Sequence, residues 1–162
     1  MVSLLQRLHK LGARKMVLFE LGPIGCIPSI ASRAQGGAKC DENVNKMVTL
    51  FNGELISMVQ TLGSNLKGGS KFVVGHSNWL AYDAIMHPSN YGLKETSNPC
   101  CVTWFNRTLT CIPQLPPCSN HNDHFFWDAY HLTEASGKVV ALNCINGSSV
   151  CLPMNIEQLV KV

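Results

Sequence analysis

Apolar positions along the chain fall into helical spacing in some stretches and short unbroken runs in others. From Ser3 to Leu11, Leu4, Leu5, Leu8 and Leu11 lie three and four apart on one helical face, and Gly12 supplies a C-terminal stop. Met16-Val17-Leu18-Phe19 is a continuous run closed by Gly22-Pro23, the pattern of a strand buried in a parallel sheet. Residues 22–40, with Pro23, Gly25, Pro28, Gly36 and Gly37, read as a loop. The clearest helix follows, with Asp41 as its N-cap. Val44, Met47, Val48, Phe51, Leu55, Val59 and Leu62 form its apolar face, and Gly63 is its predicted end. A second buried strand, Lys71-Phe72-Val73-Val74, comes after Gly68-Gly69. A helix from Asn78 to His87 stops before Pro88, and a last one runs from Glu134 to Leu142 with Thr133 as N-cap.

Strand, long helix and strand make a βαβ unit with an expected right-handed crossover, so the class is α/β. Two strands do not make a stable sheet, because three or more with covered faces are needed. The chain opens on a helix that feeds a strand, as though from the middle of a wound sheet, and the further strands are expected upstream. No internal repeat and no interdomain linker interrupts the 162 residues, which suit one domain.

Composition narrows the class. Hydrophobic residues make up 46% and charged residues 14%, which excludes a disordered tail. A net charge of +3 leaves no electrostatic footprint for nucleic acid. No stretch approaches the ~18 consecutive apolar residues of a membrane span.

Eight cysteines and two N-glycosylation acceptors, Asn106-Arg107-Thr108 and Asn146-Gly147-Ser148, suit an oxidising, secretory environment. The amino end does not match that: Met1-Val2-Ser3-Leu4-Leu5 begins like a signal peptide, but Arg7, Lys10, Arg14 and Lys15 leave no apolar core. Residues 96–122 hold Cys100, Cys101, Cys111 and Cys118, four of the eight prolines, and Arg107 as their single charge. A structureless stretch that long is usually functional, stapled or both. With His121 and His124 these cysteines offer zinc-type ligands, but their spacing is adjacent or six to nine apart rather than the usual two to four. Disulfides within the loop account better for them, with Cys26–Cys40 as a further bridge. Eight cysteines allow 105 connectivities, so the full pairing stays open.

The chemistry concentrates near the carboxyl end, in Phe125-Phe126-Trp127-Asp128-Ala129-Tyr130-His131-Leu132-Thr133. A carboxylate three residues ahead of an imidazole, in a loop entering a helix, can fix one ring nitrogen and leave the other as a general base. Asp-x-x-His alone is a pattern that chance supplies often. A second stretch, Gly75-His76-Ser77-Asn78-Trp79, sits between a strand and a helix, where a Gly-x-Ser-x-Gly nucleophile elbow would sit. Its fifth position is Trp79 instead of Gly, and Ser77 or Asn78 as a helix N-cap explains the same residues.

Ordered matches run almost end to end. They include Leu11-Gly12-Ala13-Arg14-Lys15, Leu21-Gly22-Pro23-Ile24-Gly25-Cys26-Ile27-Pro28, Asn45 through Phe51-Asn52, Pro88-Ser89-Asn90-Tyr91-Gly92, Cys100-Cys101, and Phe126-Trp127-Asp128-Ala129-Tyr130-His131, with Pro153-Met154-Asn155-Ile156 and Gln158-Leu159 closing the chain. Through these the chain resembles the carboxyl-terminal half of the plant-type GDSL esterase/lipases of the SGNH hydrolase superfamily.

The resemblance implies a flavodoxin-like three-layer α/β/α fold with a parallel sheet. It makes residues 1–162 the carboxyl-terminal part of a single hydrolase domain whose amino-terminal strands are missing. It implies hydrolysis of carboxylic esters by a Ser-His-Asp triad without a cofactor or metal, on a small-molecule ester or lipid, in a secreted full-length form. Asp128 and His131 match the family's acid and base. The Gly-Asp-Ser that carries the nucleophile does not occur here, nor does the Gly-x-Asn-Asp that serves the oxyanion. Leu132 stands where the family commonly has Pro, which would loosen entry to the final helix. The expectation is therefore a family member that is inactive alone. The alternatives are a secreted, disulfide-stapled binding module without turnover, or an esterase that uses Ser77.

Overall fold

The computed structural model describes every residue except Lys67 and Asn106, so the asparagine of the first acceptor sequence lies outside the described residues. Three strands form one sheet in the order β1-β2-β3: β1 (Lys15–Phe19), β2 (Lys71–Gly75) and β3 (Cys151–Leu152). β1 and β2 pair in parallel from Lys15↔Lys71 to Phe19↔Gly75, as a βαβ unit requires. The short β3 adds antiparallel to β2 through Val74↔Leu152 and Gly75↔Cys151. Its two residues are too few to show any period in the sequence.

Alternation along the strands sorts the helices into layers. Met16, Leu18, Phe72 and Val74 face α1 (Val2–Lys10) and α3 (Glu42–Asn65), packing with Leu5, Leu55, Val59 and Leu62. Val17 and Val73 face the other way, toward Leu80 of α4 (Ser77–Met86), Cys144 of α5 (Glu134–Ile145) and Leu159 of α6 (Ile156–Lys161). The architecture is α/β/α around a small, mostly parallel sheet. A single-turn α2 (Pro28–Ala31) lies in the loop after β1.

Asp41 caps α3 as expected, its Oδ1 accepting the backbone N–H groups of Asn43 and Val44. The helix continues past Gly63 to Asn65. Its buried face is Val48, Asn52, Leu55, Val59 and Leu62, while Met47 and Phe51 are exposed. Asn52 takes the inward position because its side chain pairs with both backbone polar groups of Leu21, two residues past β1. Oδ1 accepts the Leu21 N–H at 2.9 Å, and Nδ2 donates to the Leu21 carbonyl at 3.0 Å.

Two other expectations are corrected. β1 is not fully buried: Phe19 is 47% exposed, because β1 is an edge strand with a neighbour on one side only among the described residues. On α1 only Leu5 of the predicted stripe is buried, and Leu4, Leu8 and Leu11 face solvent. The short α6, opened by a capping box between Asn155 and Gln158, was hidden in the sequence by its length.

All eight cysteines are bridged. Cys26–Cys40 closes the first loop, and Cys100–Cys118 and Cys101–Cys111 staple the second, as the loop reading anticipated. Cys144–Cys151 ties the end of α5 to β3. Cys100, Cys101, Cys111 and Cys118 thus hold no thiolate to offer zinc. No helix among the described residues is long and apolar enough to cross a membrane.

Candidate active site

Residues 125–133 form a turn pinned on three sides before entering α5. Inside the turn, the Trp127 N–H donates to the His131 carbonyl at 2.8 Å, and Phe126 bridges Leu132. The stapled loop holds one flank: the N–H groups of Cys100 and Cys101 donate to the carbonyls of Phe126 and Trp127, and the Tyr130 hydroxyl donates to the Thr108 carbonyl. α2 holds another, the Ser29 N–H donating to the Ala129 carbonyl. Below, Thr133 caps α5 by accepting the Ser136 N–H, and Ser136 Oγ donates to the Phe125 carbonyl. Phe125, Phe126 and Ala129 are buried and anchor the turn in the core.

This framework fixes Asp128. Its Oδ1 accepts the backbone N–H groups of Tyr130 at 2.8 Å and His131 at 2.7 Å, an Asx-type turn that needs this short spacing. Both carboxylate oxygens then meet His131 Nδ1, at 3.0 and 2.9 Å. The Asp128 side chain is 8% exposed and that of His131 73%. Burial of Asp128 opposes ionisation. The bond from the His131 ring and those from the two backbone N–H groups outweigh it and hold the carboxyl below the usual aspartate range. A carboxylate accepts only, so Nδ1 is the donor in this contact, and the tautomer that this favours carries its lone pair on Nε2. Among the described residues Nε2 has no partner, which is the state a general base needs before substrate arrives.

Leu132, next to His131 in the chain, is half exposed and walls an apolar cavity of about 200 Å³ with Pro23, Ile27, Ile85 and Phe126. The turn enters α5 in register without a proline, because Thr133 supplies the cap.

Ser77 is not brought to His131. It is the buried first residue of α4, and its Oγ donates to the Glu20 carbonyl at 3.3 Å. The same stretch instead places His76 against Glu20, with Nδ1 and Oε1 2.8 Å apart. Sequence reasoning passed over this pair, although Glu20 and His76 each follow directly on the carboxyl end of a parallel strand and so had to lie close.

The family model for GDSL-like lipase/acylhydrolases matches residues 1–143, which include the turn and both members of the pair. One GDSL esterase/lipase of Arabidopsis thaliana is 42% identical over 160 residues, covering 96% of this chain and 42% of the relative. From the same plant, GDSL esterase/lipase 7 is 39% identical over 162 residues, covering 98% of the chain and 44% of the relative. The chain thus spans less than half the length of the curated relatives it matches.

Proposed function

This chain belongs to the GDSL-like lipase/acylhydrolase family, and from that premise we propose that it carries the acid–base half of a carboxylic-ester hydrolase centre, with Asp128 as orienting acid and His131 as general base. The observation that carries this reading is the carboxylate of Asp128 on Nδ1 of an exposed imidazole whose Nε2 is open. In ester cleavage Nε2 takes the proton of an attacking serine hydroxyl and returns it to the leaving alcohol, and Asp128 stabilises the imidazolium formed between. The apolar cavity beside Leu132 suits an apolar portion of the ester.

The 162 residues contain no Gly-Asp-Ser and no Gly-x-Asn-Asp, and no serine hydroxyl among the described residues is bonded to His131. We assign the nucleophile and oxyanion donors to no residue of this sequence, and the chain by itself is expected to be catalytically defective. Removal of triad members from serine hydrolases lowers kcat by ~10⁴–10⁶, and loss of oxyanion donors removes most of the remainder. Four disulfides fit an oxidising compartment, and we propose an extracellular site of action.

The test compares hydrolysis of p-nitrophenyl butyrate by this chain and by a fusion that places the amino-terminal part of the 42%-identical Arabidopsis relative before it. The chain alone should stay near background and the fusion should turn over. His131→Ala in the fusion should lower kcat by ~10³ or more. A fusion whose activity survived His131→Ala would overturn the assignment.

A further inference from the structure

A second cavity lies away from His131, along the face of β2 that packs on α3. Phe72, Val74 and His76 alternate along that face, which puts the imidazole at one end of an apolar row. Val59 and Val74 form the floor of a groove of about 670 Å³, with Ile56 and Gln60 on one wall and Leu152 and Pro153 on the other. From Phe72 to His76 the groove runs about 13 Å, four strand rises, room for roughly ten methylenes at about 1.3 Å each.

His76 is the single titratable side chain among its described lining residues. The ring is held from behind by Glu20, whose side chain is 8% exposed. Oε1 meets Nδ1 at 2.8 Å, while Oε2 accepts the Asn78 N–H at the start of α4. The carboxylate therefore fixes Nδ1 as a donor and leaves Nε2 for the groove. His76 itself stands just past the carboxyl end of β2, so the polar end of the groove opens where the strand ends.

We propose that this groove binds a medium-chain aliphatic carboxylic acid, with the chain along Val59 and Val74 and the carboxyl group on His76 Nε2. Largely apolar walls over this length suit an unbranched alkyl chain, and the imidazole at the end, the one titratable group of the described lining, selects the head. A carboxyl and Nε2 share one proton whichever holds it, so the bond forms as acid with imidazole or as carboxylate with imidazolium. An alkane lacks the head group altogether. An alcohol brings a neutral hydroxyl, with no charge-assisted form of the bond. The proposal rests on the ester-hydrolase reading only for the source of the acid, which would be the acyl product of cleavage.

The experiment is calorimetric titration of the 162-residue chain with decanoate below its micelle concentration, with decanol as comparison. Neither arm requires turnover. Saturable one-to-one binding of decanoate, tighter than decanol, is expected. His76→Asn keeps an N–H for Glu20 but removes Nε2, and should weaken decanoate about ten- to a hundredfold. Gln60→Trp, at an exposed wall position, should block binding without disturbing the core. His131→Ala should leave decanoate binding unchanged, which separates this inference from the fate of the Asp128–His131 assignment. Absence of saturable binding, equal affinity for decanol, a His76→Asn affinity within twofold of the parent, or loss of binding in His131→Ala would each overturn it.

Discussion

Replacing Asp128 with Ala removes the acceptor of three donors at once: the N–H groups of Tyr130 and His131 and the His131 ring. Hydrogen bonds to a charged acceptor contribute about 1.5–3 kcal/mol each when buried. The ring bond ends at an exposed imidazole, and water can reach the Tyr130 and His131 backbone, so the three do not add at full value. An expected loss of about 2–3 kcal/mol follows, or about 5–10 °C in Tm for a chain of this length. Urea unfolding at pH 7 with disulfides intact measures it. The same variant tests the tautomer: nitrogen-15 NMR of the parent should show His131 protonated on Nδ1, and Asp128→Ala should shift it toward the Nε2–H form. The pH dependence has a fixed sign. The folded-state value lies below the ordinary 3.8, so the stabilisation is complete above that value and fades as pH falls through the lower folded value. Parent and variant should therefore converge in strong acid. A loss under 0.5 kcal/mol at pH 7, or a parent His131 already protonated on Nε2, would refute the argument that Asp128 holds the ring.

Other perturbations read the frame around the pair. Asn52→Ala removes both bonds to the Leu21 backbone from a buried position and should lower urea stability by about 2–3 kcal/mol, with Phe51→Ala on the exposed side costing under 1. Opening the Cys26–Cys40 bridge with paired serines should lower stability by about 3 kcal/mol on chain-entropy grounds for a 14-residue separation, seen as a matching fall in Tm. Gly25→Ala should prevent folding to a cooperative melt, because a Cβ there would overlap the Asp41 carbonyl oxygen and crowd Asn45. Alkaline ultraviolet titration should show one tyrosine ionising at about 12. Tyr91 donates to Asp83, and its contribution to stability is full below pH 10 and lost as pH rises through 12; Tyr91→Phe should abolish that step.

The legible parts of this sequence were those whose cause is local. Asp41 and Thr133 announced two helices because a cap is a contact over two or three residues. Asp128 and His131 were legible together for the same reason: a three-residue spacing lets one carboxylate oxygen satisfy the intervening turn and the ring at once. What was missed depends on partners far along the chain. Asn52 lies inward, where periodicity favoured Phe51, because the backbone N–H and C=O of Leu21 wait 31 residues away. Phe19 reads as core from its neighbours, yet its exposure is decided by whether another strand adds beyond β1. Glu20 and His76 stand 56 residues apart, and nothing in either segment marks them as a pair until the parallel register aligns the two strand ends.

That division bears directly on catalysis. The hydrogen bonds that frame Asp128 and His131 come from their own turn, one disulfide-stapled loop and the cap of α5, within residues 95–136 apart from the Ser29 contact, while Phe125 and Phe126 seat the turn on the core. It therefore forms whether or not a nucleophile is near, and its presence measures the integrity of this turn rather than turnover. A serine brought to Nε2 is a contact between distant segments, as Glu20–His76 is, and no local pattern can supply it. The two halves of the chemistry should separate experimentally. Any polypeptide that folds this turn should show the Nδ1–H tautomer at His131, while hydrolysis should follow only where a hydroxyl and oxyanion donors face Nε2. If the chain and the active fusion differed in His131 tautomer, the base would be assembled by its nucleophile and not by Asp128, and the local account of the pair would fail.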